Sequence, residues 1–143
     1  MDITDQYIKM CEMAKKDLGW QPQRGDFYYD KGGAWGGKNW SSEPGIKVLG
    51  ETDAMSLCFN GHYDKAIPLY RQDQLQESVQ IESETAWGLV IRFYAWINWY
   101  IDAGYTMLGI DGSGEQLWLA FTMFQKFGKR WDGEKWGKST SSD

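Results

Sequence analysis

One histidine, His62, and two cysteines, Cys11 and Cys58, are all that this 143-residue chain offers to the commonest nucleophilic and metal chemistries. A Ser-His-Asp or Cys-His arrangement has to recruit His62, and a multi-histidine metal site is excluded. Cys58 lies four residues before His62, but Gly61 interrupts the segment and only Asp64 is near enough in sequence to orient a base. His62 therefore reads as a polar turn residue. The cysteines show no CxxC spacing, and no basic segment followed by an apolar stretch opens the chain, which fits a reducing cytoplasm. Both read as small buried hydrophobes.

A positive field is missing as well. Twenty acidic residues against fifteen basic ones give a formal charge of -5, with a pI near 4.9, and a field of that sign repels phosphate backbones. Nucleic acid is thus a disfavoured partner, and the cluster Lys126, Lys129 and Arg130 reads as a solvated helix end that complements the helix dipole. No apolar run reaches bilayer length: the longest, Ala86 to Ile101, is shorter than the ~20 residues a span needs and contains Arg92 and Asn98. The glycine pairs Gly32-Gly33 and Gly36-Gly37 lack the Gly-x-Gly-x-x-Gly spacing of a phosphate cradle. Asp111-Gly112-Ser113-Gly114 matches neither an EF-hand nor a Walker loop, and Glu115 beside it is explained as a favourable charge on a helix N-terminus.

What the chain does have is tryptophan, nine residues of it in three groups. Trp20, Trp35 and Trp40 lie in a glycine-rich N-terminal part, Trp87, Trp96 and Trp99 in the apolar run, and Trp118, Trp131 and Trp136 around the last helix and turn. An indole buries a large area and still needs a partner for its N–H, so it concentrates in small cores, at interfaces and on stacking platforms.

The pattern predicts one α+β domain over residues 1–137, about four helices on a small antiparallel sheet, with a C-terminal tight turn or hairpin and a flexible tail over 138–143. Tyr7, Cys11, Ala14 and Leu18 recur at helical spacing over residues 4–18, with Thr4 as N-cap and Gly19 as stop. Residues 26–30, Ile46–Leu49 and Met55–Phe59 read as strands, and the glycine- and serine-rich stretch 30–45 as a long loop. Arg71–Gln80 forms a second helix. Ser83 is the expected cap of a third, running to about Ala103 and apolar on nearly every face. Such a helix is buried all round, or has one face in the core and the other in a subunit interface. Ser113-Gly114-Glu115-Gln116 is a capping box for the fourth helix, which Gly128 ends, and Asp132-Gly133 between Trp131 and Trp136 signals a tight turn.

Three segments in this order resemble a family of small, functionally uncharacterised proteins of bacteriophages and prophages. They are Trp20-Gln21-Pro22 followed by Gly25-Asp26; Arg71-Gln72-Asp73-Gln74-Leu75-Gln76; and Glu115-Gln116-Leu117-Trp118-Leu119-Ala120-Phe121 leading into Gly128-Lys129 and Trp131-Asp132-Gly133-Glu134-Lys135-Trp136. In the family the Arg-Gln-Asp-Gln stretch follows a Leu-Pro pair directly, whereas Pro68-Leu69-Tyr70 intervenes here. The resemblance implies a viral or prophage origin and an accessory role inside the bacterial host cell, and it carries no catalytic residue.

The resulting expectation is a non-enzymatic protein-binding module with no catalytic residue, metal or cofactor. Its partner is a host or phage protein, with a homo-oligomer through the Trp87–Ile101 helix as a further possibility, and no membrane. Trp35 and Trp40 sit on a loop with no core of its own, and Arg71, Gln72, Asp73, Gln74 and Gln76 give a polar helical face, so these seven residues are the expected contact surface. Two other classes remain open. A pocket protein or small enzyme would stack a nucleotide or sugar on tryptophan, and a single-stranded nucleic-acid binder would need a basic groove beside the rings.

Overall fold

A computed structural model describes residues 2–32, 44–50, 65–102 and 113–138. The architecture is α+β, in the order α1 (Asp5–Leu18), β1 (Phe27–Asp30), β2 (Gly45–Val48), β3 (Ala66–Leu69), α2 (Gln72–Val79), α3 (Ala86–Asp102), α4 (Gly114–Phe127), β4 (Lys129–Trp131) and β5 (Trp136–Lys138). The chain divides into two compact units, one running from Ile3 to Tyr70, the other made of Asp2 and the chain from Arg71 onward.

In the first unit Thr4 caps α1, its hydroxyl accepting from the Tyr7 N–H at 3.2 Å, and Gly19 at φ +71 ends it. Tyr7, Met10, Cys11 and Ala14 form the buried face, and α1 packs on β3. Lys15 crosses that seam to donate to the Ala66 carbonyl at 2.8 Å. Two tyrosines tie the ends of the unit together: the Tyr7 hydroxyl donates to the Tyr70 carbonyl, and the Tyr70 hydroxyl to the Gly19 carbonyl at 2.9 Å.

The sheet of this unit has the order β2-β1-β3, antiparallel throughout. Its third strand is Ala66–Leu69, a segment the sequence pattern does not announce because Pro68 interrupts it. Pro68 stands opposite Tyr28 on a strand at the edge of the sheet among the described residues, where the missing N–H costs no ladder bond to β1. The expected strand Met55–Phe59 lies outside the described residues.

In the second unit α2 packs against α4, and α4 runs on into β4. The Ser113 hydroxyl accepts from the Gln116 N–H at 3.1 Å, and Gly128, in the left-handed conformation, returns its N–H to Met123 and Phe124. The β4–β5 hairpin forms as expected around Asp132-Gly133, with Trp131 opposite Trp136 and ring centroids 5.0 Å apart. Lys138, the first residue of the expected tail, belongs to β5.

Two expectations for α3 require correction. Ser83 is not its cap: it lies in the preceding turn at φ +68, and the Thr85 hydroxyl accepts from the Gly88 N–H at 3.0 Å, opening the helix at Ala86. Nor is α3 buried all round. Leu89, Trp96 and Tyr100 are buried, while Trp87 is 73% exposed, Tyr94 66%, Ile101 57%, Ile91 52% and Val90 47%. The bulk of the rings explains this. Phe93 and Trp96 fill the space between α3 and α4, touching Trp118, Phe121 and Phe124, and the opposite face is left exposed among the described residues.

Candidate functional site

The three sequence motifs are mostly consumed by the fold. In the first, the Asp26 carboxylate accepts from the Trp20 indole N–H at 3.0 Å and from the Gln23 N–H at 2.9 Å. Gly25 turns the chain at φ +90, and Leu49 bonds back to Gly25 and Asp26 through its backbone. Trp20 then packs on the Tyr28, Leu49 and Ala66 cluster. An indole, a carboxylate and a glycine at this spacing thus build a turn.

Arg71, Gln72, Asp73, Gln74 and Gln76 all lie at the N-terminal end of α2. The Gln74 side-chain carbonyl accepts from the Arg71 N–H at 2.9 Å, and Arg71 binds Asp73 at 3.0 and 3.3 Å. That hydrogen bond from Arg71 is the main reason the Asp73 carboxyl sits below its ordinary range. Leu75 is buried, Gln72 and Asp73 are exposed, and Gln74 and Gln76 are half-buried. Three of the five side chains thus organise the helix start. Trp35 and Trp40 lie outside the described residues.

The third motif builds the second unit's core. Gln116 donates to the Asp2 carboxylate at 2.8 Å, Trp118 stacks on Phe93 at 4.0 Å and 7° from parallel, and Leu119, Ala120 and Phe121 are buried. Asp132 organises the hairpin turn, accepting from the Lys135 and Glu134 N–H groups at 2.9 and 2.8 Å. Those two bonds hold its carboxyl below the usual carboxylate range.

What the fold does not consume is the outer face of α3. At 100° per residue, Trp87, Val90, Ile91, Tyr94 and Ile101 fall within an arc of about 100°, with Asn98 inside it. They form a stripe of about 21 Å along the helix, exposed from end to end. It contains no charge. Arg92 points to another side, where it binds Glu84. The sequence named the Trp87–Ile101 helix as a possible contact between subunits, but it marked the helix as apolar everywhere, and no residue pattern in it distinguishes the inner from the outer face, so which residues form this surface was not read.

Asp102 closes α3 and Glu115 opens α4, Asp111, Cys58 and His62 lie outside the described residues, and among the described residues no three His, Cys, Asp or Glu side chains gather to hold a metal ion. Among the same residues no helix is long and apolar enough to cross a membrane. No protein-family model, curated protein or solved structure matches the chain.

Proposed function

We propose that this is a phage or prophage accessory protein that acts by binding protein in the bacterial host cytoplasm. The uncharged apolar stripe on α3 carries this reading. Contiguous exposed apolar surface is rare on a chain that has no use for it, and aromatic residues such as Trp87 and Tyr94 are the side chains that dominate protein interfaces. The three motif segments support it by elimination, since most of their residues have structural work within turns, caps and core. Trp35, Trp40, Gln72 and Gln76 remain candidates for a second contact with a host or phage protein.

The test is Tyr94→Glu, a change at a side chain that points away from its own unit's core. The folded variant is expected to lose protein association that the wild type shows, whether with itself or with proteins of infected host cells, and to lose its effect on phage growth. A folded Tyr94→Glu variant with every association and phenotype intact overturns the reading.

A further inference from the structure

We infer that the partner on the α3 stripe is a second copy of this chain, packed with the two α3 helices antiparallel about a two-fold axis at Tyr94. The inference rests on the protein-binding reading above and names the occupant of that face.

Area is the first argument. Weighted by their exposures, Trp87, Val90, Ile91, Tyr94 and Ile101 offer on the order of 700 Å², close to the ~800 Å² per partner of a standard interface. A two-fold contact uses the same patch twice, so one such stripe is sufficient for a dimer.

Self-complementarity is the second. With the axis at Tyr94, Trp87 faces Ile101 of the partner subunit, a flat ring against a branched aliphatic chain, and Tyr94 meets its own copy. The same pairing repeats at the other end. Two chains of charge -5 repel one another, and the stripe brings them together where neither carries a charge.

The placement of Asp102 also favours the pair. A carboxylate in the last turn of a helix opposes the helix dipole, and α3 has no basic residue in its last turn to offset it and no acidic residue in its first. Antiparallel pairing sets Asp102 across from the partner's helix start at Ala86, where the free N–H groups favour an anion. Glu84 near that start is already held by Arg92 at 3.0 Å. The charge arrangement that is unfavourable in one helix is complementary in the pair.

Sedimentation equilibrium on the 143-residue chain tests this. The wild type is expected at twice the chain mass, and Tyr94→Glu, which sets like charges against each other on the axis, is expected to raise the dissociation constant by about a hundredfold or more. Trp87→Lys and Ile101→Glu each weaken the dimer alone. Mixed in equal amounts they recover it, because an antiparallel pair brings the new cation against the new anion at one end and leaves Trp87 against Ile101 at the other. Asp102→Asn weakens association several-fold although it relieves the dipole conflict within the helix. Circular dichroism of each variant confirms that the fold is kept.

A monomeric wild type at about 100 μM, or a dimer that Tyr94→Glu leaves intact, overturns the inference. Recovery absent from the Trp87→Lys and Ile101→Glu mixture overturns the antiparallel register. A monomer whose capture of a host or phage protein is abolished by Tyr94→Glu overturns the dimer and spares the protein-binding reading. A monomer that binds nothing overturns both.

Discussion

Arg92 grips Glu84 with two prongs, Nε to Oε2 at 3.1 Å and Nη2 to Oε1 at 3.0 Å. The same guanidinium donates to the Val79 carbonyl at 2.6 Å and to the Gln125 side chain at 3.2 Å, and lies 5.4 Å from the Phe121 ring centroid. One side chain on α3 therefore fastens the C-terminal end of α2, the turn before α3 and the inner face of α4. The charge inside the apolar run, which argued against a membrane span in the sequence, is the clasp of the second unit.

Arg92→Met keeps the aliphatic stem and removes all of these bonds. The Val79 carbonyl at the end of α2 loses its cationic donor, and a partly buried acceptor left unmade costs about 1–3 kcal/mol. Urea denaturation followed by tryptophan fluorescence should show that loss. An unchanged midpoint would mean that solvent replaces the guanidinium without cost.

The same pair predicts a pH dependence. Arg92, chiefly through its hydrogen bond, holds the Glu84 carboxyl below the ordinary glutamate range, against partial desolvation that pushes the other way. A carboxyl whose folded pKa is depressed contributes stability that is present above its unfolded pKa and lost as pH falls through the folded value. Wild type should therefore exceed Glu84→Gln in stability at neutral pH, and the gap should close on acidification below the ordinary glutamate pKa of about 4.3. Asp73 and Asp132 shift in the same direction, so the comparison between the two proteins isolates the Glu84 contribution. Urea midpoints at a series of pH values measure it, and a gap that stays constant across the series contradicts it.

The elements that carry their own end signals were legible in the sequence. Thr4 and Gly19 bound α1, and Ser113 and Gly128 bound α4, because capping is a local property of the residues that cap. Ser83 failed as a signal because the chain needs a left-handed residue to turn out of α2, and Thr85, two residues on, was free to cap. β3 escaped notice because a strand of four residues with a central proline has no alternation to read, and its pairing with β1 is set by residues some forty positions away. The sequence pointed to α3 as a possible contact between subunits, but which of its faces is exposed was hidden for a related reason. Hydropathy reports that a residue prefers burial, and which side of a uniformly apolar helix finds a neighbour depends on where the bulky rings Phe93 and Trp96 place α4.

Asp2 supplies a further test near the chain start. Its carboxylate accepts from the Ser113 hydroxyl at 2.5 Å and from the Gln116 side-chain amide at 2.8 Å, at the end of α4 where the dipole favours an anion. Ser113 passes the contact on by accepting from the Gln116 N–H. Asp2→Asn should cost about 1–2 kcal/mol, since charge-assisted bonds are replaced by neutral ones and the dipole loses its counter-charge. Chemical denaturation measures this directly. Equal stability of the two proteins would show that the cap is complete without the charge.

Two aromatic residues six positions apart on α3 should behave in opposite ways. Phe93 is stacked on Trp118 and meets Phe121 edge-on at 5.3 Å, so Phe93→Ala opens a gap between α3 and α4 and should cost about 3 kcal/mol. It should also weaken the near-ultraviolet circular dichroism produced by fixed rings. Trp87, 73% exposed, contributes little to its own unit, and Trp87→Ala should change stability by no more than about 0.5 kcal/mol when measured at chain concentrations too low for association. At high concentration the two situations separate, because a dimer stabilises the folded chain by mass action. There the wild-type midpoint should rise with concentration and the Trp87→Ala midpoint should rise less. A concentration-independent difference between the two would assign Trp87 to the core of its own unit and remove the stripe as a binding surface.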